Sequence, residues 1–151
     1  MTTSEAFARF KSELELPDSK QDEASEAQQA VRKKLEETNL YISGSFLTGS
    51  YARCTKIHPL NDIDVFLIRN SSPVSLATDG SGIGASQALK QVEDAARKAY
   101  PSAKITIQSR SVNAVIPGVP FGFDLIPAWH RYGGGFWIPD GDVGNWLPTD
   151  P

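Results

Sequence analysis

Asp62 and Asp64 are the residues of this chain whose type and spacing most clearly imply chemistry. They open the run Asp62-Ile63-Asp64-Val65-Phe66-Leu67-Ile68. A period of two puts both acids on one face of a strand, with Ile63, Val65 and Leu67 on the other. Two carboxylates side by side on an apolar strand repel each other and resist burial, so the pair calls for a cation. Hard oxygen ligands of this kind suit Mg²⁺ or Mn²⁺ better than a softer metal. Eleven residues separate Asp62 from Gly49-Ser50. There the glycine lets backbone approach a ligand closely, and Ser50 adds a hydroxyl and an N–H where a short helix can begin, which together make a phosphate cradle. A phosphate loop beside metal-binding acids reads as a nucleoside triphosphate site.

Stepping outward, Asp62 and Asp64 need a strand, Gly49-Ser50 a turn, and both need a sheet with a core behind it. Tyr41 to Thr48 reads as an extended segment broken at Ser43-Gly44 and leading into that turn. Tyr51 to Lys56 reads as a short helix pointing its N-terminus at the phosphates, stopped before the acid strand by Pro59. Arg53, Lys56 and His58 lie close enough to add positive charge, or else simply face solvent. Upstream, Phe7, Phe10 and Leu14 mark an amphipathic helix over Ser4 to Leu16. A second helix over Ser19 to Glu37 opens on a Ser19/Asp22 capping box and carries the stripe Ala27, Val31, Leu35, with Lys33 and Lys34 on a solvated face.

Arg69 to Gly82 is rich in Ser, Gly, Pro and Asp and reads as a surface loop. Its continuation Gly80-Ser81-Gly82-Ile83-Gly84 lacks the lysine and the preceding strand of a phosphate-binding loop and is assigned to a linker. Ala85, Leu89, Val92 and Ala96 form one face of a helix ending near Tyr100-Pro101. Three strands follow over Lys104 to Gln108, Val112 to Ile116 and Phe121 to Ile126. On the last, Phe121, Phe123 and Leu125 share a face and leave Asp124 opposite with Gly122. An acid flanked by Phe123 and Leu125 is costly to bury unpaired, so it pairs either with a cation or in an ordinary salt bridge. From Pro127 onward no helix is expected, Gly133 to Gly135 and Pro139-Asp140-Gly141 are turn signals, and Trp129 and Trp137 are assigned to packing ahead of base stacking.

The order Gly-Ser then Asp-x-Asp, at this spacing, resembles the nucleotidyltransferase superfamily that includes DNA polymerase beta, poly(A) polymerases and oligoadenylate synthases. The finer pattern Phe46-Leu47-Thr48-Gly49-Ser50-Tyr51-Ala52-Arg53, then Thr55, Ile57, Pro59-Leu60 and Asp62-Ile63-Asp64-Val65-Phe66, is similar to the bacterial CD-NTases. These are relatives of cyclic GMP-AMP synthase that make cyclic oligonucleotide signals. The likeness continues through Gln108-Ser109-Arg110-Ser111-Val112, Phe123-Asp124-Leu125-Ile126-Pro127-Ala128 and Trp146-Leu147-Pro148-Thr149-Asp150-Pro151, with a departure at Cys54.

The resemblance implies an α/β nucleotidyltransferase fold, a small mixed, mainly antiparallel sheet with helices packed on one face. It implies that residues 1–151 form the catalytic lobe, and that in the family a mostly helical second lobe follows. It makes Asp124 the third metal ligand beside Asp62 and Asp64, assigns Gly49, Ser50 and Arg53 to the triphosphate, and gives Mg²⁺ or Mn²⁺ as cofactor. The substrates would be NTPs, the product a cyclic di- or trinucleotide, and the setting bacterial antiphage signalling. Two rivals stand beside it: a minimal nucleotidyltransferase acting on a protein or small molecule, and an NTP- and metal-binding module without turnover.

Length and charge set outer bounds. A chain of 151 residues is one domain with room for a core. A net charge of −3 argues against a general nucleic-acid binder. No apolar run approaches the ~18 residues of a membrane span, and no signal peptide is evident. A single cysteine fits a reducing cytoplasm, and His58 and His130 lack partners at zinc spacing. Without a second lobe, the surface around Val31, Leu35, Trp129 and Trp146 is expected to be partly exposed and to promote self-association.

Overall fold

The computed structural model describes residues 2–14, 18–48, 62–69 and 83–151. Two helices come first, α1 (Thr3–Leu14) and α2 (Asp18–Glu36), followed by strands β1 (Gly44–Leu47) and β2 (Asp62–Ile68). Helix α3 (Ala85–Ala99) leads into β3 (Lys104–Ile107), β4 (Val112–Val115) and the long β5 (Gly122–His130). A hairpin of β6 (Phe136–Asp140) and β7 (Asn145–Thr149) closes the chain. The sheet order is β1-β2-β5-β4-β3, with β6 on β5 and β7 on β6. β2 and β5 run parallel; every other pairing is antiparallel.

Alternation builds the two faces. Ile63, Val65 and Leu67 of β2, Phe123 and Leu125 of β5, Val112 and Ala114 of β4 and Ile105 of β3 are all buried against the helices. Helix α3 meets them with Ala85, Ala88, Leu89, Val92, Ala95 and Ala96, a wide apolar stripe at helical spacing. Glu93 sits in that stripe because Lys90 and Arg97 ion-pair with it, each at 2.8 Å, and these hydrogen bonds hold its carboxyl below the usual range. Helix α2 buries Ala24, Gln28, Val31 and Leu35, with Ala27 only partly covered. Gln28 is tolerated there because its amide donates to Ser45 Oγ on β1 at 2.8 Å. Asn39, in the left-handed region at φ 67°, turns the chain out of α2, and Thr38 Oγ1 donates to the Leu35 carbonyl beside it. The Ser19 cap lies outside the described side chains.

One expectation is corrected. Val31, Leu35 and Trp129 are buried within the chain, Trp129 packing edge-on against the half-buried Trp146 at 4.9 Å. The large apolar groups on the surface lie elsewhere: Phe7 and Phe10 of α1 are 72% and 59% exposed. Ile107 is exposed although it shares a face with buried Ile105, because it closes a short strand at the sheet edge. From Pro127 onward the chain holds no helix, as expected, and is regular as strands. β5 continues through Pro127 to His130, and Pro139 and Pro148 lie within β6 and β7 opposite Trp146 and Trp137. The reversal from β5 to β6 uses Gly133, Gly134 and Gly135, all at positive φ, and a side chain at Gly135 would strike the Thr149 carbonyl.

Candidate active site

The face of the sheet turned away from the helices is divided along its length. Toward the ends of β2 and β5, Phe66, Ala128 and Ile138 form a second apolar cluster with Phe46, Ile126, Phe136 and Leu147. Its rings stack tightly, Phe46 lying 5.1 Å from Phe66 and 5.4 Å from Phe136. The start of the same two strands carries the acids. In the parallel register Asp62 faces Gly122 and Asp64 faces Asp124, so all three carboxylates rise from one face of adjacent strands. Thr48, the residue before Gly49, donates its backbone N–H to the Asp64 carbonyl at 3.0 Å. The end of β1 is thereby tied to the backbone of Asp64. Gly49, Ser50 and Arg53 themselves lie outside the described residues, as do Lys56, His58 and residues 70–82.

Two residues that sequence reading passed over shape the site. Asn113 of β4 stands across from Asp124 in the antiparallel register, and its side-chain amide donates to Asp124 Oδ1 at 2.9 Å. Period two within Val112-Asn113-Ala114 put Asn113 on the acid face, but nothing local named its partner. Gly122 lies directly under Asp62: a Cβ there would overlap Asp62 Oδ1. Gly122→Ala is expected to leave the melting temperature nearly unchanged, because the overlapping atom ends a solvent-exposed side chain that can swing aside. The displaced carboxylate should weaken Mg²⁺ binding by roughly 10–100-fold. A titration of Mg²⁺ followed by thermal shift checks this, and wild-type affinity would remove Gly122 from the site.

Burial raises the Asp124 carboxyl above its ordinary value; the Asn113 hydrogen bond draws it down, and the charge of Asp62 adds to the rise. A folded-state pKa above the unfolded one means the folded chain binds more protons between the two values. This contribution is full below the unfolded pKa and is lost as pH rises through the folded one. Asp124→Asn is therefore expected to melt above wild type at neutral pH in chelator and to flatten the decline in stability from acid toward neutral pH. Melting curves across that range are the check; an unchanged slope would show that Asp124 carries no such strain.

The donor set fits a hard divalent cation: oxygens alone, like-charged, on adjacent strands, with one acid destabilised in its ionised form. The three side chains do not converge on one point, and among the described residues no three acid, His or Cys groups lie close enough to share an ion. Mg²⁺ tolerates this, since it keeps several waters and takes substrate phosphates beside one or two carboxylates.

A family model for the Second Messenger Oligonucleotide or Dinucleotide Synthetase domain, SMODS, matches residues 1–151. The chain belongs to the SMODS family. This SMODS chain is 26% identical over 162 residues to a cyclic AMP-AMP-AMP synthase of Acinetobacter sp. (strain ATCC 27244 / 9458), an alignment spanning 100% of the chain and 44% of that protein. Its fold is similar to that of the Bradyrhizobium diazoefficiens CD-NTase CdnG, solved in complex with GTP, at a TM-score of 0.73 and 20% identity over 91% of this chain and 40% of that one. It is also similar to CdnC of E. coli MS115-1, solved with ATP, at a TM-score of 0.66 and 25% identity over 95% and 46% of the two chains. The SMODS chain thus spans less than half the length of these relatives. Its sheet and helices are those of the nucleotidyltransferase fold expected from Gly49-Ser50 and the acids. No helix among the described residues is long and apolar enough to cross a membrane.

Proposed function

We propose that this chain supplies the nucleotidyl-transfer lobe of a cyclic oligonucleotide synthase. A ribose hydroxyl of one nucleotide would attack the α-phosphorus of a bound NTP, forming a phosphodiester as the bond to pyrophosphate breaks. The observation that carries the reading is the parallel register setting Asp64 beside Asp124, with Asp62 on the same face, in a chain of the SMODS family.

Asp62, Asp64 and Asp124 would hold Mg²⁺ or Mn²⁺, which when bound supplies charge neutralisation for the triphosphate and acidifies the attacking hydroxyl. The chain's own residues do the positioning. β2 and β5 are central strands buried on their helix-facing side, so the acids rise from a rigid platform. Asn113 fixes the Asp124 carboxylate, Gly122 clears the space Asp62 uses, and Gly49, Ser50 and Arg53 would hold the phosphates in line with the attacking group. A cyclic di- or trinucleotide product, a part in bacterial antiphage signalling and a cytoplasmic setting are supported by the family alone.

Incubating a two-lobed protein that carries this lobe with mixed NTPs and Mg²⁺, then separating the products by chromatography, tests the reading; the lobe by itself is expected to make no cyclic product. Pyrophosphate with a phosphatase-resistant cyclic nucleotide is the expected outcome. Nucleotide transferred to a protein or small molecule would overturn the synthase reading in favour of a modifying transferase, and tight NTP binding without pyrophosphate would overturn it in favour of a binding module.

A further inference from the structure

Arg69 follows β2, and its N–H extends the parallel ladder by donating to the Ala128 carbonyl at 2.8 Å. By alternation it falls on the helix-facing side with Ile63, Val65 and Leu67, opposite the acids. Seven residues of strand, at ~3.3 Å each, put it on the order of 20 Å along the sheet from Asp62. It is only 9% exposed. Its guanidinium lies 5.7 Å from the centre of the Trp129 ring, and Nη2 donates to Gln91 Oε1 of α3 at 3.0 Å. Among the described residues, no acceptor meets its buried Nε and Nη1.

Burial lowers the Arg69 pKa, but a guanidinium does not escape by losing its proton and keeps its charge in proteins. Each unanswered donor in a low-dielectric setting is unfavourable, and a group with two of them needs an acceptor, best an anionic one. Arg69 borders a pocket of about 330 Å³ whose walls include Thr38, Asn39, Gln91 and Lys98, a hydroxyl, two amides and a second cation. Among the described residues the acid in that wall is Asp94, which Lys90 holds at 2.8 Å.

We propose that this pocket is a second anion site, which takes the phosphate or carboxylate group of a small molecule on Arg69, with Lys98 and Gln91 around it. It lies on the sheet face opposite the acids, so its occupant is not the triphosphate of the transfer reaction. It joins the end of α2, the end of β2 and α3, and a bound anion would tie these three elements together. The proposal does not rest on the transfer reading.

The test uses the chain in EDTA at constant ionic strength, titrated with inorganic phosphate in one arm and succinate in the other. Thermal melts and the Arg69 Nε–H resonance of ¹⁵N-labelled protein are the readouts. One or both anions should raise the melting temperature saturably, by several degrees at saturation, and move the Arg69 resonance; the responding arm identifies the group. Lys98→Met, a substitution on the exposed side of α3, should weaken that response at least fivefold, and Arg69→Met should abolish it. Asp62→Asn should leave it intact. If Arg69→Met does not fold, Lys98→Met and the resonance still decide. No response beyond that to chloride, a wild-type response in Lys98→Met, or loss of the response in Asp62→Asn would overturn the site.

Discussion

Asp64→Asn is expected to lower nucleotide transfer by at least about 10²–10³-fold, the scale on which a directly acting charge-stabilising group is worth in other active sites. Folding should survive. Asp64 is only half-buried, it is paired in register with Asp124, and burial and the charge of Asp62 already push Asp124 toward its protonated form. Removing one of three like charges from this face relieves repulsion, so the variant should melt at or above wild type without metal. Adding Mg²⁺ should raise the wild-type melting temperature and leave Asp64→Asn nearly unmoved. Asp62→Asn should behave alike, with a smaller gain in chelator because Asp62 is exposed. The pair of experiments separates two ways of being wrong. Lost transfer with a wild-type Mg²⁺ shift would show that the acids act other than as ligands, whereas retained transfer would remove them from the chemistry.

Phe123→Ala is expected to cost about 3–5 kcal/mol, the range for truncating a buried aromatic without collapse of the space left behind. Phe123 is fully buried, 0% exposed, and is flanked in register by Ile63 on β2 and Ala114 on β4. Its ring packs edge-on against Phe121 at 5.6 Å. Strand backbones on both sides hold the cavity open, so relaxation is limited. Against a typical domain stability of roughly 5–15 kcal/mol, the loss should be visible as a large fall in the urea midpoint at unchanged slope. Phe7→Ala on α1 provides the contrast: with the ring 72% exposed, its effect should stay within about 0.5 kcal/mol. Equal midpoints for the two variants would show that the sheet–helix interface is not the core. Since Phe123 lies between Gly122 and Asp124, its loss should also loosen the platform under the acids, and transfer should fall more steeply with temperature than in wild type.

What could be read directly from the residues is what one strand or helix settles alone. Alternation along Asp62–Ile68 and Phe121–Leu125 assigns Asp62, Asp64 and Asp124 to the faces opposite Ile63 and Phe123, and the structure agrees. The spacing of Ala85, Leu89, Val92 and Ala96 likewise settles which side of α3 is buried. These follow from the geometry of a single backbone. Pairing does not. That β2 lies parallel to β5, in the register that sets Asp64 beside Asp124, that Asn113 answers Asp124, and that Gly122 is empty because Asp62 stands over it, are contacts between segments far apart in the chain.

Local signals also misled where tertiary packing outweighed them. Pro127, Pro139 and Pro148 hid strands that a neighbouring strand sustains. Gln28 broke the apolar stripe of α2 yet is buried, because Ser45 of β1 takes its hydrogen bond. Phe7 and Phe10 mark an amphipathic face on α1, yet both are exposed. Arg69 looked like the first residue of a polar loop, whereas the sheet, Trp129 and Gln91 enclose it. Side-chain direction within an element is a local property and is written in the order of residues. Whether a given face finds a partner, and which one, depends on how distant segments share one core, and that becomes definite only in the folded chain.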